Sequence, residues 1–216
     1  MAITSYTELQ AAVGSWLNRS DLTAVIPDFI GLAEAHFNRV MRPREAQTQI
    51  TVSVNSPFVA LPADFAEVKS IRITDAQGAA WELIQATPEQ LSDGLADSSV
   101  PSIPEFYSIL GEQFQFWPPP NATYSANVMY VRKLPPLSST VATNWLLESD
   151  PDIYLYGALT QAAQYLRDAE GLATWKTLLQ AALEEYRVAD KPVIGPLRTD
   201  IPTIGIQSRY SIYTDR

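Results

Sequence analysis

Gln49-Ile-Thr-Val-Ser-Val54, closed by Asn55-Ser56-Pro57, decides the fold of this 216-residue chain. Ile50, Val52 and Val54 alternate with Gln49, Thr51 and Ser53, the period of a strand with one buried face. The residues before it keep a different rhythm. Ile30, Ala33, Phe37 and Val40 recur at spacings of three and four up to Pro43, which predicts an amphipathic helix. The period therefore switches near Glu45, and a helical part gives way to a β part.

Upstream, Ser5 and Glu8 have the spacing of a capping box, in which each side chain satisfies a backbone donor of the other. Leu9, Val13, Trp16 and Leu17 then share one face, and Asn18-Arg19-Ser20-Asp21 breaks the helix. Pro27 suits the first turn of the next. Downstream, Val68, Ser70, Ile71, Arg72 and Ile73 read as a strand with imperfect alternation. Asp75-Ala-Gln-Gly78 forms a hairpin loop leading to Trp81-Glu-Leu-Ile84. Thr87 caps a short helix at Pro88-Glu89, and residues 93–104 form a polar loop. Gly111-Glu112 joins Phe106–Leu110 to Phe114–Trp117 as a tight hairpin. Pro118-Pro119-Pro120 stops that strand, and Tyr124–Val131 supplies one more. About six short strands predict a small antiparallel sheet or barrel.

Helix returns after Asn144. Asp150 precedes Pro151 as a cap, and Leu155, Leu159, Ala162 and Leu166 line one face. Asp168 caps a last helix, where Leu172, Trp175, Leu179, Ala182 and Tyr186 form a narrow seam suited to packing along another helix. After Asp190, Pro192, Gly195, Pro196, Pro202 and Gly205 exclude helix. The segment nevertheless carries Ile194, Leu197, Ile201, Ile204, Ile206, Tyr210 and Tyr213. A solvated linker lacks this much apolar surface. Two readings stand: an extended arm that adds to a sheet edge or lies in a groove, or a tail that packs on its own domain.

Charge divides along the same boundaries. The net charge is −9. Residues 1–44 are neutral, 45–135 carry −6, 136–190 carry −5 and 191–216 carry +2. An acidic body does not grip nucleic acid by its phosphates. Cysteine is absent, which excludes disulfides, zinc-thiolate sites and thiol nucleophiles. No leader or membrane span is expected, since the start lacks a basic flank with a long apolar core and no run of about 18 apolar residues occurs. A soluble protein made in the cytoplasm of its host cell is the expectation.

Chemistry is sparse. His36 is the single histidine, so no two-histidine metal site forms, and its place beside Phe37 reads as a half-buried or surface side chain. No nucleophile elbow or phosphate-binding glycine loop occurs. Asp150 and Asp152 suit a helix start, where the dipole favours negative charge, and Glu184-Glu185 suit a solvated face. No catalytic residue, cofactor or metal is expected, and the chain reads as no enzyme. Phe106, Tyr107, Phe114, Phe116, Trp117, Tyr124 and Tyr130 read as core, the alternative being a stacking platform for sugar or base.

The stretch Thr143-Asn-Trp-Leu-Leu-Glu-Ser-Asp-Pro-Asp-Ile-Tyr-Leu-Tyr-Gly-Ala-Leu-Thr-Gln-Ala-Ala-Gln-Tyr-Leu166 resembles a helix motif of tailed-bacteriophage head-to-tail connector (adaptor) proteins. Ala173-Thr-Trp175 and Ala181-Ala-Leu-Glu-Glu185 continue the likeness. So do Tyr6-Thr-Glu-Leu-Gln10, Trp16-Leu-Asn-Arg19-Ser-Asp-Leu22, Leu61-Pro-Ala-Asp-Phe65 and Glu67-Val. The resemblance runs to about residue 190, and the tail matches by character alone. It implies a virion protein of the neck between head and tail. Such proteins form a homo-oligomeric ring, usually a dodecamer of twelve copies, beneath the portal protein. The C-terminal arm reaches the portal, a downstream tail or nozzle protein follows, and DNA passes through the channel as non-specific cargo during ejection.

The expectation is thus an α+β protein. Residues 1–44 and 136–190 form a ring-forming helical bundle, 45–135 an inserted antiparallel β domain, and 191–216 an extended arm. Ile194, Leu197, Ile201, Ile204, Ile206, Tyr210 and Tyr213 are the expected portal-docking residues. Trp16, Phe37, Leu155, Leu159, Trp175, Leu179 and Tyr186 are expected to pack the ring and bundle. The rival reading is a ligand-binding module whose aromatic β insertion contacts cell-surface carbohydrate.

Overall fold

The computed structural model describes residues 3–93 and 100–190. Helix α1 (Tyr6–Leu17) starts at Ser5, whose Oγ accepts from Glu8 N at 3.3 Å. The return half of the expected box goes one residue further. Glu8 Oε2 accepts from both Thr4 N and Thr4 Oγ1 at 2.7 Å. These bonds hold the Glu8 carboxyl below its usual range. Asn18 ends the helix in the left-handed region at φ 50°, which a short polar side chain tolerates. Helix α2 (Ile26–Val40) follows, with Pro27 in its first turn.

A single 3-10 turn (Arg44–Ala46) leads into β1 (Gln47–Val54), and β2 (Phe58–Ala60) and β3 (Phe65–Thr74) come next. The alternation of β1 appears as expected, with Gln49, Thr51 and Ser53 exposed and Val54 buried. The irregular pattern of β3 has a physical cause. Its pairing slips between Phe65 and Glu67 and again between Val68 and Ser70, and such bulges shift the inward face by one residue. Asp75 Oδ1 accepts from Gln77 N and Ala79 N, closing the loop to β4 (Ala80–Glu82) around Gly78 at φ 85°.

One strand expected over Trp81–Ile84 is two. At Leu83 the chain leaves the first sheet, and β5 (Ile84–Gln85) joins the second, parallel to β6 (Phe106–Leu110). Leu83 is buried, so the crossing is pinned between the layers. Helix α3 (Pro88–Asp93) begins with a fully reciprocal box: Gln90 N donates to Thr87 Oγ1, and Thr87 N donates to Gln90 Oε1. The tight hairpin from β6 to β7 (Gln113–Trp117) turns at Gly111, φ 60°, and β8 (Tyr124–Arg132) completes the β part.

Among the described residues there are eight strands in two four-stranded sheets, rather than six in one. The orders are β1-β8-β3-β4 and β2-β7-β6-β5. Their inner faces share one apolar cluster including Val54, Ile71, Ile73, Phe114, Phe116 and Val128. Phe65 of the first sheet meets Phe114 of the second edge-on at 5.6 Å, the geometry that aromatic quadrupoles favour.

Helices α4 (Trp145–Ser149), α5 (Pro151–Leu166) and α6 (Ala169–Ala189) close the described chain. Asn144 and Asp168 cap α4 and α6 with side-chain bonds. Asp150 stands at the start of α5 without a side-chain cap bond. The N–H it would cap, that of Ile153, donates to the Asp150 backbone carbonyl oxygen instead, at 3.2 Å. Helix α5 packs against α1, α2, α4 and α6 and buries Ile153, Tyr154, Leu155, Ala158, Leu159 and Ala162. A helix surrounded this way is apolar nearly all round. Gly157 lets α2 approach, since a Cβ there would lie 2.5 Å from Phe37 Cζ. The architecture is α+β, with a second apolar cluster drawn from α1, α2, α4, α5, α6 and the 133–144 connection.

Candidate assembly surfaces

The side chains singled out on the helices divide by exposure. Phe37, Leu155, Leu159 and Leu179 are buried in the chain's own helical core. Their apolar surface is spent within the protomer. Trp16 is 52% exposed, although it continues the row of Leu9 and Val13. Its ring lies 5.7 Å from Trp175 of α6 and 6.4 Å from Tyr156 of α5. Tyr156 and Trp175 stack at 6.5 Å with 16° between planes. The last turn of α1 thus meets the middle of α5 and α6 in an aromatic patch that solvent reaches. Large rigid aromatics bury much area for little entropy, which is why they dominate interface energetics.

Tyr186 is half-buried near the end of α6, and its hydroxyl donates to Glu45 Oε2 at 3.3 Å. Burial, then the nearby Glu45 charge, raises its pKa. Beside it, the Asp190 carboxylate accepts from Arg44 N at 3.1 and 3.3 Å. The end of α6 is thereby tied to the turn that launches β1. Arg44, Glu45, Asp150, Tyr186, Ala189 and Asp190 line an open groove there. Ile194, Leu197, Ile201, Ile204, Ile206, Tyr210 and Tyr213 lie outside the described residues.

Beneath these surfaces runs a polar network that the sequence reading passed over. Glu34 is 5% exposed. Its Oε1 accepts from Leu137 N at 2.8 Å and from Tyr154 Oη at 3.1 Å. Asn144 Nδ2 donates to Tyr154 Oη at 2.6 Å and to Pro135 O at 2.8 Å, while Asn144 Oδ1 caps α4. Asn38 Oδ1 accepts from Leu134 N at 2.7 Å. Together these bonds hold the 133–144 connection against α2. Burial raises the Glu34 pKa, and its two hydrogen bonds oppose that shift. The signal was present in the spacing, because Glu34 sits on the same face as Ile30, Ala33 and Phe37.

Most of the seven aromatics from Phe106 to Tyr130 face inward. Tyr107, Phe114, Phe116, Tyr124 and Tyr130 are buried, which leaves Phe106 and Trp117 half-buried. A face for stacking sugar needs open rings, and these five are closed in. Tyr130 Oη donates to Asp64 Oδ1 at 2.9 Å, and burial with this bond pushes its pKa up to about 12. His36 is half-buried, its pKa lowered by burial and then by Arg39. Among the described residues no group of three His, Cys, Asp or Glu is placed to hold a metal ion, and no helix is long and apolar enough to cross a membrane.

The described residues present an exposed aromatic patch at Trp16, Tyr156 and Trp175 and an open groove beside Tyr186. The family model for the SU10 adaptor protein matches residues 4–200, and the chain belongs to that family. It is a bacteriophage structural adaptor and a component of the virion, which works through contact with other phage structural proteins. No curated protein matches it.

Proposed function

We propose that the chain is a head-to-tail connector subunit that forms a ring beneath the portal and joins the capsid to the tail. Family membership carries the reading. In this reading residues 1–44 and 136–190 build a helical bundle that packs around the ring. Residues 45–135 form an inserted β domain that faces the next tail or nozzle protein. Residues 191–216 form the arm that docks on the portal, through Ile194, Leu197, Ile201, Ile204, Ile206, Tyr210 and Tyr213.

In this reading the exposed helical side chains make the ring contacts. Trp16, Trp175 and Tyr186 retain surface for a neighbour, whereas Phe37, Leu155, Leu159 and Leu179 set the shape of the protomer that presents it. A ring of twelve such acidic bodies gives DNA a channel without phosphate-binding sites, so the genome slides through. The arm, with its net +2, is the segment suited to an acidic partner surface.

Native mass spectrometry of the protein mixed with its portal tests this. The full chain is expected to form a stable complex that a chain lacking residues 191–216 does not form. An equally stable complex from the truncated chain refutes the arm's role.

A further inference from the structure

Strand edges expose unpaired backbone N–H and C=O groups, and folded proteins normally blunt them. Among the described residues the two sheets end in β1, β4, β2 and β5. Strands β2 and β4 have three residues and β5 has two, too short to template pairing. The part of β3 that β4 leaves uncovered carries two bulges together with Glu67 and Lys69. Strand β1 has none of these devices. It runs eight residues in unbroken register with β8, and Gln47-Thr-Gln-Ile-Thr-Val-Ser-Val54 contains no charge and no proline.

Its apolar rows also stop short. Across the first sheet Ile71 pairs Val128, which pairs Ile50, and Ile73 pairs Ala126, which pairs Val52. Ile71, Val128, Ile73 and Ala126 are 0% exposed, whereas Ile50 and Val52 are half-buried. Each row has room for one more apolar side chain, on a strand that is not among those described.

The chain contains a segment of matching pattern. After Pro202, residues 203–213 are free of proline, and Ile204, Ile206, Ser208, Tyr210 and Ile212 alternate with Gly205, Gln207, Arg209, Ser211 and Tyr213. Its root is close at hand, because Asp190 bonds Arg44 N three residues before β1 begins. Residues 191–202 extend at most ~40 Å, and β1 is roughly 27 Å long, so either end of the edge is within reach. A tether of this length sets a local concentration of roughly millimolar.

We propose that the outer edge of β1 is a strand-addition surface, occupied in the free protein by the chain's own residues 203–213. Backbone pairing supplies the attachment, and the Ile204, Ile206 and Tyr210 face completes the two apolar rows. The edge stays capped, and the arm stays accounted for, until a partner takes it. This rests on the reading of 191–216 as a strand-forming arm and is independent of which partner receives it.

The chain has no cysteine, so introduced pairs report without background. Thr51→Cys is combined in turn with Gln207→Cys, Arg209→Cys or Ser211→Cys, all on the solvent side of the added strand, and oxidised at low protein concentration. One pairing is expected to give an intrachain disulfide at monomer mass. Hydrogen exchange of the same full chain without cysteines should show every second β1 amide slowed at least ~10-fold relative to a chain ending at residue 202. Ile206→Pro with Tyr210→Pro, which leaves the body untouched, should abolish that slowing. Disulfide-linked dimers in place of monomers, no disulfide in any pairing, or β1 exchange unchanged by truncation or by the prolines would overturn the proposal. Portal binding is read separately by native mass spectrometry, so the two readings fail independently.

Discussion

Replacing Glu34 by alanine and by glutamine in parallel isolates the hydrogen bonds that clip the 133–144 connection to α2. Both variants remove the ionisable carboxyl, so its desolvation cancels in their comparison. Glutamine keeps Oε1 as the acceptor for Leu137 N and Tyr154 Oη, whereas alanine leaves both donors without it. A buried donor left unpaired costs about 1–3 kcal/mol, and the space left by the side chain adds to that. Alanine should therefore be about 3–4 kcal/mol less stable than glutamine in urea unfolding monitored by circular dichroism. For a domain of this size that is a difference in Tm of about 6–15 °C. The pH dependence supplies a second reading. Burial raises the Glu34 pKa in the folded protein from the usual 4.5. Its contribution to stability is then fully present below pH 4.5 and is lost as pH rises through the folded value. Glutamine lacks this dependence, so the parent should lose stability relative to Glu34→Gln as pH rises above 4.5. Unfolding free energies of the alanine and glutamine variants that agree within about 0.5 kcal/mol would refute the network's role.

Three further outcomes follow from the packing. Gly157→Ala sets a Cβ 2.5 Å from Phe37 Cζ and 3.1 Å from Ala33 Cβ. It should cost about 1–3 kcal/mol by forcing α2 off α5, measured by the same unfolding assay. Trp16→Ala removes a ring that is 52% exposed, so the fold should weaken by no more than about 1.5 kcal/mol. The number of copies assembled on the portal, read by native mass spectrometry, should fall much further than that loss explains; equal loss of fold and assembly argues against the patch. Tyr130→Phe should cost about 1 kcal/mol by removing the bond to Asp64. Because the folded pKa of Tyr130 is pushed up to about 12, the parent should lose stability relative to the variant as pH rises from 10 toward 12, followed by unfolding at fixed salt.

Much of the protein's local structure was written in short-range patterns. The spacing of Ile30, Ala33 and Phe37, the alternation of β1, the Gly111 hairpin and the Thr87 and Asp168 caps all depend on neighbours within about one turn or one strand step. So did the likeness of Thr143–Leu166 to phage adaptors, borne out by the family match over residues 4–200. The spacing also put Glu34 on the core face of α2, where an acid needs a partner, but no local signal named Leu137 or Tyr154. Those partners lie 103 and 120 residues away in sequence.

The sequence by itself determined that helices flank a β region, that no thiol chemistry is available, and where charge and apolar surface lie along the chain. Only the tertiary structure decided that the strands divide into two sheets at Leu83, and that five of the seven aromatics from Phe106 to Tyr130 turn inward. It also decided that Trp16 stays at the surface while Phe37 does not, and that β1 is an edge strand among the described residues. The physical reason is the same in each case. Period and propensity tell a side chain which face of its own element it occupies. Whether that face is then covered depends on how distant segments pack, and burial is a property of the whole assembly of elements rather than of any one.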